Sequence, residues 1–312
     1  MRRLLAIALV SAALLFVPAL PSFAAETLTE YLERAASAEY HAQQIVSCST
    51  PDGSRDAVVE ILQADGVLVA APAVRDDDTL ETGGGSMRMG DESVVTGDID
   101  GAVDLDDHYT IDFTRSVAVA GRPAEQVTLR AEEGVVRAVL SFDEASGVLV
   151  QSTLLNADGS VWCDMRLVDL EQVSSDVTDG EATTTADLDP VDAPDDPRLP
   201  AVAGGIDRVD VYRWEEKGTV AYYSDGLLSF TVLASPRSLQ LTAPDAVTVE
   251  VDGGRLTRWY GPGSVALSWE SEEGGIAVFG DVPLDIQDRI VEDLPDPHDP
   301  GVFGRLWRNL FD

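Results

Sequence analysis

Short apolar segments separated by turn sequences recur through this chain, and they restrict it to a largely antiparallel β fold. The clearest series lies between residues 108 and 171, where two hairpin turns, 143–147 (DEASG) and 156–159 (NADG), follow one another. Asp and Asn favour such turns because their side chains bond the local backbone, and Gly because it tolerates positive φ. Strands joined by turns this short pair in antiparallel fashion. The predicted strands are residues 109–113, 117–119, 126–131, 135–142, 148–155 and 161–170.

One helix is predicted ahead of these strands. Residues 27–30 (TLTE) form a capping-box sequence, which marks a helix start, and apolar residues recur at helical spacing from Leu28 to about Tyr40. Extended segments are expected at 41–49, 57–62 and 67–74. The sequence therefore predicts an α+β fold in which a curved antiparallel sheet wraps around helical packing.

An acidic segment divides the chain into two units. Residues 174–198 are rich in Ser, Thr, Asp and Pro, a composition that cannot build a core, so they are predicted to be a linker. They separate a large β domain, 25–173, from a smaller domain, 199–295, which ends in an amphipathic helix. The remaining tail, 296–312, is apolar and carries arginines. It either folds back onto the protein or docks on a partner.

The N-terminus has the pattern of an export signal. Arg2 and Arg3 precede an apolar stretch, residues 4–20, and Ser22-Phe23-Ala24 places small residues where a signal peptidase cleaves. We expect residues 1–24 to be removed after Ala24 and the mature chain to be periplasmic or otherwise extracytoplasmic. An uncleaved membrane anchor is the alternative.

The acidic composition limits the classes of partner. A formal net charge of −35 repels nucleic acid and disfavours docking on anionic lipid. It attracts a basic segment of a partner protein, although solubility outside the cell is the simpler explanation.

Two cysteines, Cys48 and Cys163, lie in the exported part of the chain. An even number in an oxidising compartment indicates one disulfide, and two separate buried thiols are the alternative. Alternation along the last predicted strand of the large domain places Val161, Cys163 and Met165 on one face, so Cys163 is expected to point into a core. Two distant cysteines and three scattered histidines do not suggest a metal site, and no cofactor is expected.

Sequence signatures of catalysis are absent. The chain contains no nucleophile-elbow, phosphate-loop, dinucleotide-binding or zinc-protease motif, so no catalytic residue is assigned and the protein is not expected to be an enzyme. The acidic residues between Asp98 and Asp107 could hold calcium, but their spacing fails the EF-hand pattern, which favours a solvated loop.

Several segments resemble one known family when they are taken in order. In the large domain they are residues 119–124 (VAGRPA), the turn 143–147 and the hairpin 154–159 (LLNADG). In the second domain they are residues 223–230 (YSDGLLSF) and 279–283 (FGDVP). Their order and spacing resemble the RseB/MucB family of sigma-factor regulatory proteins over about residues 26–295. The start of the second domain, residues 199–206, is looser than the family pattern.

The resemblance implies an architecture and a function. It implies a large domain shaped like an unclosed antiparallel β-barrel around helices, as in LolA and LppX, followed by a smaller mixed α/β domain. It also implies an exported negative regulator in a stress response, which binds and protects the extracytoplasmic segment of a membrane anti-sigma factor. A lipid or lipoprotein signal would release that partner.

Partner contact is expected on the YSDGL hairpin. The candidate residues are Tyr222, Tyr223, Leu227 and Phe230, although Tyr223 and Phe230 suit a core position equally well. A second hypothesis is a carrier or sensor of lipids or lipoproteins, with an apolar cavity in the large domain. A third, an exported hydrolase, has the least support.

Overall fold

The fold contains two large antiparallel sheets, each accompanied by a helix. The structure is a computed structural model that describes residues 27–64, 67–72, 88–89, 92–93, 105–172, 189–190, 196–214, 217–239, 241, 243, 245–261 and 263–299. The predicted signal segment 1–24, most of the predicted linker and the tail beyond Asp299 lie outside these residues. So do residues 98–104 of the acidic loop.

The first sheet has eight strands in the order β3-β2-β1-β10-β9-β8-β7-β6. The first three strands are β1 (Tyr40–Thr50), β2 (Gly53–Ala64) and β3 (Val67–Pro72). The other five are β6 (Thr110–Val119), β7 (Arg122–Arg130), β8 (Val136–Asp143), β9 (Leu149–Leu155) and β10 (Val161–Gln172). A two-stranded ribbon, β4 (Arg88–Met89) with β5 (Glu92–Ser93), lies apart from this sheet.

Among the described residues, the strands at the two ends of the first sheet, β3 and β6, do not pair with each other, so the sheet is not closed. Helix α1 (Leu28–Ser37) packs its buried face, Leu28 and Tyr31, into the core of this sheet. The Gln63 side chain fixes the end of α1 by donating to the carbonyls of Ala35 and Ala36, at 2.8 and 2.7 Å. The predicted unclosed antiparallel barrel around helical packing is confirmed.

Local signals placed the helix start correctly but extended the helix too far. The Thr27 side chain accepts the Glu30 N–H, and the Glu30 carboxylate accepts the Thr27 N–H, which completes the predicted capping box. The helix ends at Ser37 rather than near Tyr40, because Tyr40 already pairs with both Gln63 of β2 and Gln172 of β10.

Two details of the first sheet differ from the predicted alternation. A register shift between Val161 and Cys163 turns Val161 outward, so Val161 and Cys163 do not share a face. Cys163 and its neighbour Trp162 are both buried. Asp106 and Asp107, predicted in a loop, lie in the four-residue helix α2 (Leu105–His108). The Tyr109 N–H closes this helix by donating to the Leu105 carbonyl.

Cys48 and Cys163 form a disulfide bond. The two residues are directly opposite each other in the β1–β10 ladder, and both are buried.

The second sheet follows the order β11-β13-β14-β15-β19-β18-β17-β16, with β12 pairing separately on β13. Its first five strands are β11 (Asp189–Pro190), β12 (Val202–Ala203), β13 (Ile206–Trp214), β14 (Gly218–Ser224) and β15 (Ser229–Ser235). The others are β16 (Val247–Val251), β17 (Gly254–Gly261), β18 (Ser264–Ser271) and β19 (Gly274–Gly280).

A 3-10 turn (Glu132–Gly134) connects β7 to β8 in the first sheet.

Helix α3 (Leu284–Asp293) covers one face of the second sheet. Ile286 and Ile290 are buried there, and the Tyr260 hydroxyl of β17 bonds the Gln287 side chain of the helix at 3.3 Å. The indole N–H of Trp269 donates to the Pro295 carbonyl at 2.7 Å and so holds the segment after the helix on the same face. The core of this face is continuous with the core beneath α1, so the two sheets share one apolar cluster.

Candidate functional site

The YSDGL segment is a hairpin turn that is closed by its own aspartate. Strands β14 and β15 meet at Ser224 and Ser229, and the Asp225 carboxylate accepts the N–H groups of Leu227 and Leu228 at 3.0 and 2.8 Å. Gly226 takes a φ of +87°, which a side chain would strain. These bonds hold Leu227 and Leu228 in the turn, and β15 begins at Ser229.

The hairpin tip is docked against the first sheet. The Tyr109 hydroxyl, which lies just before β6, donates to the second oxygen of Asp225 at 2.5 Å, and both side chains are buried. Burial, with the Asp225 charge as a smaller contribution, holds the pKa of Tyr109 far above its ordinary value of 10.0. The hydroxyl therefore stays protonated and remains a donor.

Helix α3 joins the first sheet beside this contact. The Leu284 N–H at the start of the helix donates to the Asn156 side-chain carbonyl at 3.0 Å. Arg137 of β8 binds both oxygens of the Asp285 carboxylate, at 3.1 and 2.9 Å. One of these oxygens also accepts the Ala157 N–H at 3.2 Å. We call these contacts, with the Tyr109–Asp225 bond, the joint.

Two of the sequence motifs supply residues of this joint, and a third ends directly before it. The turn 156–159 supplies Asn156 and Ala157, the hairpin 223–230 supplies Asp225, and the segment 279–283 leads directly into Leu284. The other two motifs, 119–124 and 143–147, stabilise the first sheet, where Arg122 donates to Asp143 at 2.7 Å and Asp143 also accepts the Ser146 N–H of its own hairpin. Segments that are weak signals in isolation therefore act as parts of one tertiary arrangement.

The four candidate partner-binding residues divide into two pairs. Tyr223 and Phe230 are 0% and 1% exposed and stack on each other with ring centroids 4.7 Å apart, so in this structure they are core residues, which is the alternative that the sequence left open. The Tyr223 hydroxyl is satisfied internally by the Pro200 carbonyl at 2.8 Å. Tyr222 and Leu227 are half-buried and stay candidates for contact with a partner.

Tyr222 belongs to a row of side chains that crosses the second sheet on the face opposite α3. Successive strand partners are Tyr222 with Thr231, Thr231 with Phe279, Phe279 with Ala266, and Ala266 with Trp259. Partners in register share a face, and this face points away from α3 because the neighbouring Tyr260 points towards it. We call these five residues the aromatic row.

Phe279 and Trp259 were not among the partner-binding residues that the sequence predicted. Phe279 is half-buried, and the Trp259 ring packs over Gly261, where a Cβ atom would lie 2.3 Å from the indole. Strand alternation could have placed each aromatic side chain on a face, but the alignment of five strands depends on their register, which the sequence does not state.

A second carboxylate lies beside the hairpin tip. Asp281 follows β19, its N–H donates to the Ser229 carbonyl at 3.3 Å, and its carboxylate accepts the Ser229 hydroxyl at 3.4 Å. Burial raises the pKa of Asp281 to about 6, opposed by local hydrogen bonds and assisted by the charge of Asp225.

The Tyr109 hydroxyl contributes measurably to the stability of the joint. We expect Tyr109→Phe to lower the free energy of unfolding by about 2 kcal/mol, because a buried carboxylate loses a hydrogen bond. Urea unfolding measures the loss. Tyr212→Phe is the matched control, since its hydroxyl bonds Asp210 at 3.3 Å outside the joint, and it should cost less than about 0.5 kcal/mol. Equal losses in the two variants would contradict a docked hairpin tip.

Two further observations limit the chemistry of the described residues. Within the ranges given above, every helix is too short or too polar to cross a membrane. The same residues contain no group of three or more His, Cys, Asp and Glu side chains that could hold a metal ion.

Comparison with known proteins gives similarity to solved structures only. The chain matches no family model and no curated protein. It is similar to the crystal structure of MucB in complex with MucA(peri), at 19% identity and a TM-score of 0.48, over 88% of this chain and 100% of that one. It is similar to the Pseudomonas aeruginosa MucA/MucB complex at 18% identity and a TM-score of 0.46, over 87% of this chain and 99% of that one. A crystal structure of MucB gives 18% identity and a TM-score of 0.42, over 86% of this chain and 98% of that one. MucB belongs to the family that the sequence motifs resemble.

Proposed function

We propose that this chain is an exported negative regulator of an extracytoplasmic-function sigma factor, which binds and protects the extracytoplasmic segment of a membrane anti-sigma factor. One observation carries the proposal. Motifs that resemble the RseB/MucB family are separated by up to about 130 residues, yet two of them supply residues of the joint and a third, 279–283, ends directly before it. A chance similarity of turn sequences gives no reason for the turns to meet. The motif resemblance is therefore better explained by a shared architecture.

We place the partner on the half-buried part of the aromatic row, which is Tyr222, Thr231 and Phe279, because Ala266 and Trp259 are 3% and 7% exposed. It combines aromatic side chains with a β-sheet face, and aromatic residues dominate the energetics of protein interfaces. Asp210 pairs with Tyr222 at one end of the row, and the chain as a whole carries a formal charge of −35. A partner segment with apolar side chains flanked by basic residues is complementary to such a surface.

A binding experiment tests this assignment. The mature chain is crosslinked in its native cell, the co-purified membrane protein is identified, and its extracytoplasmic segment is titrated against purified variants. We expect Tyr222→Ala with Phe279→Ala to raise the Kd by about tenfold or more, because the variant loses two aromatic contacts. Circular dichroism confirms that the variant is folded.

A matched control comes from the first sheet. Ile45 and Val58 form an exposed apolar pair on β1 and β2, so Ile45→Ala with Val58→Ala removes comparable exposed apolar surface away from the row. This control should leave the Kd within about twofold of the wild type. An equal loss of affinity in both variants would remove the partner from the aromatic row. Recovery of no anti-sigma factor would overturn the function itself.

The carrier hypothesis has one supporting feature at the open edge of the first sheet. Phe113 of β6 is 44% exposed, and its ring lies 5.9 Å from that of Tyr31, which is 5.1 Å from that of buried Phe142. These aromatic rings lead from the surface to the core beneath α1. An acyl chain bound there would supply the lipid or lipoprotein release signal. Organic extracts of the natively purified protein that contain no acyl chains would count against this second candidate.

A further inference from the structure

Three valines form an apolar stripe at the outer edge of the second sheet. Among the described residues, β16 pairs with β17 alone. The register of this pair sets Val247, Val249 and Val251 opposite Arg258, Leu256 and Gly254. Leu256 is buried in the shared core and Arg258 donates to Asp288 of α3 at 3.2 Å, so this side of the two strands faces the helix. Val247 is nevertheless 47% exposed, so the stripe extends beyond the area that α3 covers.

Helix α3 turns an acidic flank towards this stripe. Asp288, Val291 and Glu292 lie along that flank at helical spacing, and Val291 is half-buried. The other flank faces the turn after β12, where Asp293 accepts the Gly204 N–H at 2.8 Å. The three valines are thus the floor, and Asp288, Val291 and Glu292 the wall, of a depression that we call the edge groove.

The chain that leaves α3 crosses the end of the sheet in the direction of this groove. Pro295 lies at β18, where its carbonyl accepts the Trp269 indole N–H. Trp269 is the strand partner of Leu256, so the chain passes on the α3 side of the sheet. The His298 N–H then donates to the carbonyl of Glu270, the next residue of β18, at 2.6 Å. These two bonds fix the path of the chain after the helix.

The same segment lies directly over the β16–β17 turn. A Cβ atom on Gly253 would lie 2.7 Å from the Pro297 carbonyl oxygen, and one on Gly254 would lie 2.8 Å from the His298 nitrogen. A larger residue at either position would therefore push the segment away. Because Gly254 is the strand partner of Val251, the path runs from β18 towards β16 and brings the chain to the Val251 end of the stripe.

The residues that follow have the pattern of an amphipathic helix. At about 100° per residue, the apolar side chains between residues 302 and 311 all fall on one half of a helix. They are Val302, Phe303, Leu306, Trp307, Leu310 and Phe311. The other half holds Gly304, Arg305, Arg308 and Asn309, with an arginine towards each border. A ten-residue helix is about 15 Å long and a five-residue strand such as β16 about 17 Å, so the two match in length.

We propose that residues 302–311 dock in the edge groove of their own chain as an amphipathic helix antiparallel to α3. The apolar half of this helix covers the three valines and Val291, and one of its two arginines faces the acidic wall whichever way it is turned. Docking there shields β16, an edge strand that is otherwise open to pairing with another chain. The contact does not depend on the proposed function, because the aromatic row lies on the other face of the sheet.

The chain's own segment suits this groove better than a separate molecule does. It is joined to Asp299 at one end of the groove, and a short linker gives an effective concentration in roughly the millimolar range. Its arginines complement Asp288 and Glu292 of the wall. A second copy of the chain, with a formal charge of −35, and an anionic lipid surface are instead repelled by the acidic wall.

Photo-crosslinking in the full mature chain identifies what this segment contacts. The probe p-benzoylphenylalanine replaces Phe303 in the apolar half or, as the matched control, Asn309 in the polar half. We expect the probe at 303 to crosslink to residues 247–251 or 288–292 of the same chain in about fivefold higher yield than the probe at 309. Crosslinks mainly to a second copy, crosslinks mainly to added phosphatidylglycerol vesicles, or no crosslink to either range would overturn the docked helix.

A substitution in the floor tests the groove itself. Val249→Asp places a charge under the apolar half, so it should lower the yield from the probe at 303 by about fivefold. Thr248→Asp is the matched control, because the Thr248 hydroxyl bonds that of Thr257 on the other face of the same strands. It should leave the yield within about twofold of the unsubstituted groove. Equal yields in the two variants would contradict docking on this stripe.

Hydrogen exchange covers the case in which Val249→Asp fails to fold. Leu306→Asp with Trp307→Asp changes only the proposed helix and lies outside both sheets. We expect the β16 amides to exchange about tenfold faster in this variant, while the Val278 amide in the buried centre of β19 is unchanged. Asn309→Asp, which adds a charge to the polar half, should match the wild type. Absence of any acceleration at β16 would also overturn the proposal.

Discussion

Removal of the disulfide by Cys48→Ala with Cys163→Ala should lower the free energy of unfolding by about 4–5 kcal/mol. The bond links residues 115 positions apart, so it restricts the unfolded chain strongly. In the folded state the two residues are already aligned by the β1–β10 ladder, which persists without the bond. Most of the loss therefore arises from the greater entropy of the unfolded chain. Urea unfolding under oxidising conditions measures it.

The single variants are the controls for this prediction. Either Cys48→Ala or Cys163→Ala breaks the bond, so each should lose nearly as much stability as the double variant. Reduction of the wild type in urea should give the same loss without any substitution. A double variant that loses less than about 1.5 kcal/mol would mean that the unfolded chain is already restricted in this region.

Local chemistry was sufficient to predict the elements of this fold. The capping box at Thr27, the 156–159 turn and the strands from β6 to β10 all depend on residues close together in the sequence. Errors occurred where a distant segment decides the outcome. Helix α1 stops early because Tyr40 has strand partners on both sides, and one of them is 132 residues away in β10.

Two similar turns show why the site could not be predicted fully. Asp158 and Asp225 both precede a glycine and both accept local N–H groups. Asp158 is exposed, whereas Asp225 is buried and accepts the hydroxyl of Tyr109, 116 residues earlier. Nothing in either turn sequence encodes that difference.

The assignment of the hairpin aromatics failed in part for the same reason. Alternation puts Tyr222 and Tyr223 on opposite faces of β14, so at most one of them can face a partner. Which face belongs to the core depends on where α3 and Pro200 pack, and both come from other parts of the chain. The sequence therefore left two possible orientations for β14, and tertiary packing determines which of its faces is buried.

Substitution of Arg137 by alanine should lower the free energy of unfolding by about 3 kcal/mol or more. The Arg137 side chain is 10% exposed and its Asp285 partner 28%. The variant therefore leaves the Asp285 carboxylate at the joint without the positive charge that binds both of its oxygens. Loss of this pair also frees the start of α3, which otherwise binds the first sheet through Asp285 and Leu284. Urea unfolding, followed by tryptophan fluorescence, measures the change.

The Arg130–Asp112 pair is a close control because it has the same separation in a different environment. Its nitrogen and oxygen are 2.9 Å apart, as in the Arg137–Asp285 pair, but its side chains are 40% and 55% exposed. Solvent screens an exposed pair, so Arg130→Ala should cost less than about 1 kcal/mol. Because the nitrogen–oxygen distance is the same in both pairs, any additional loss of unfolding free energy in Arg137→Ala measures the effect of burial at the joint. Equal losses would mean that the two sheets are not docked in solution.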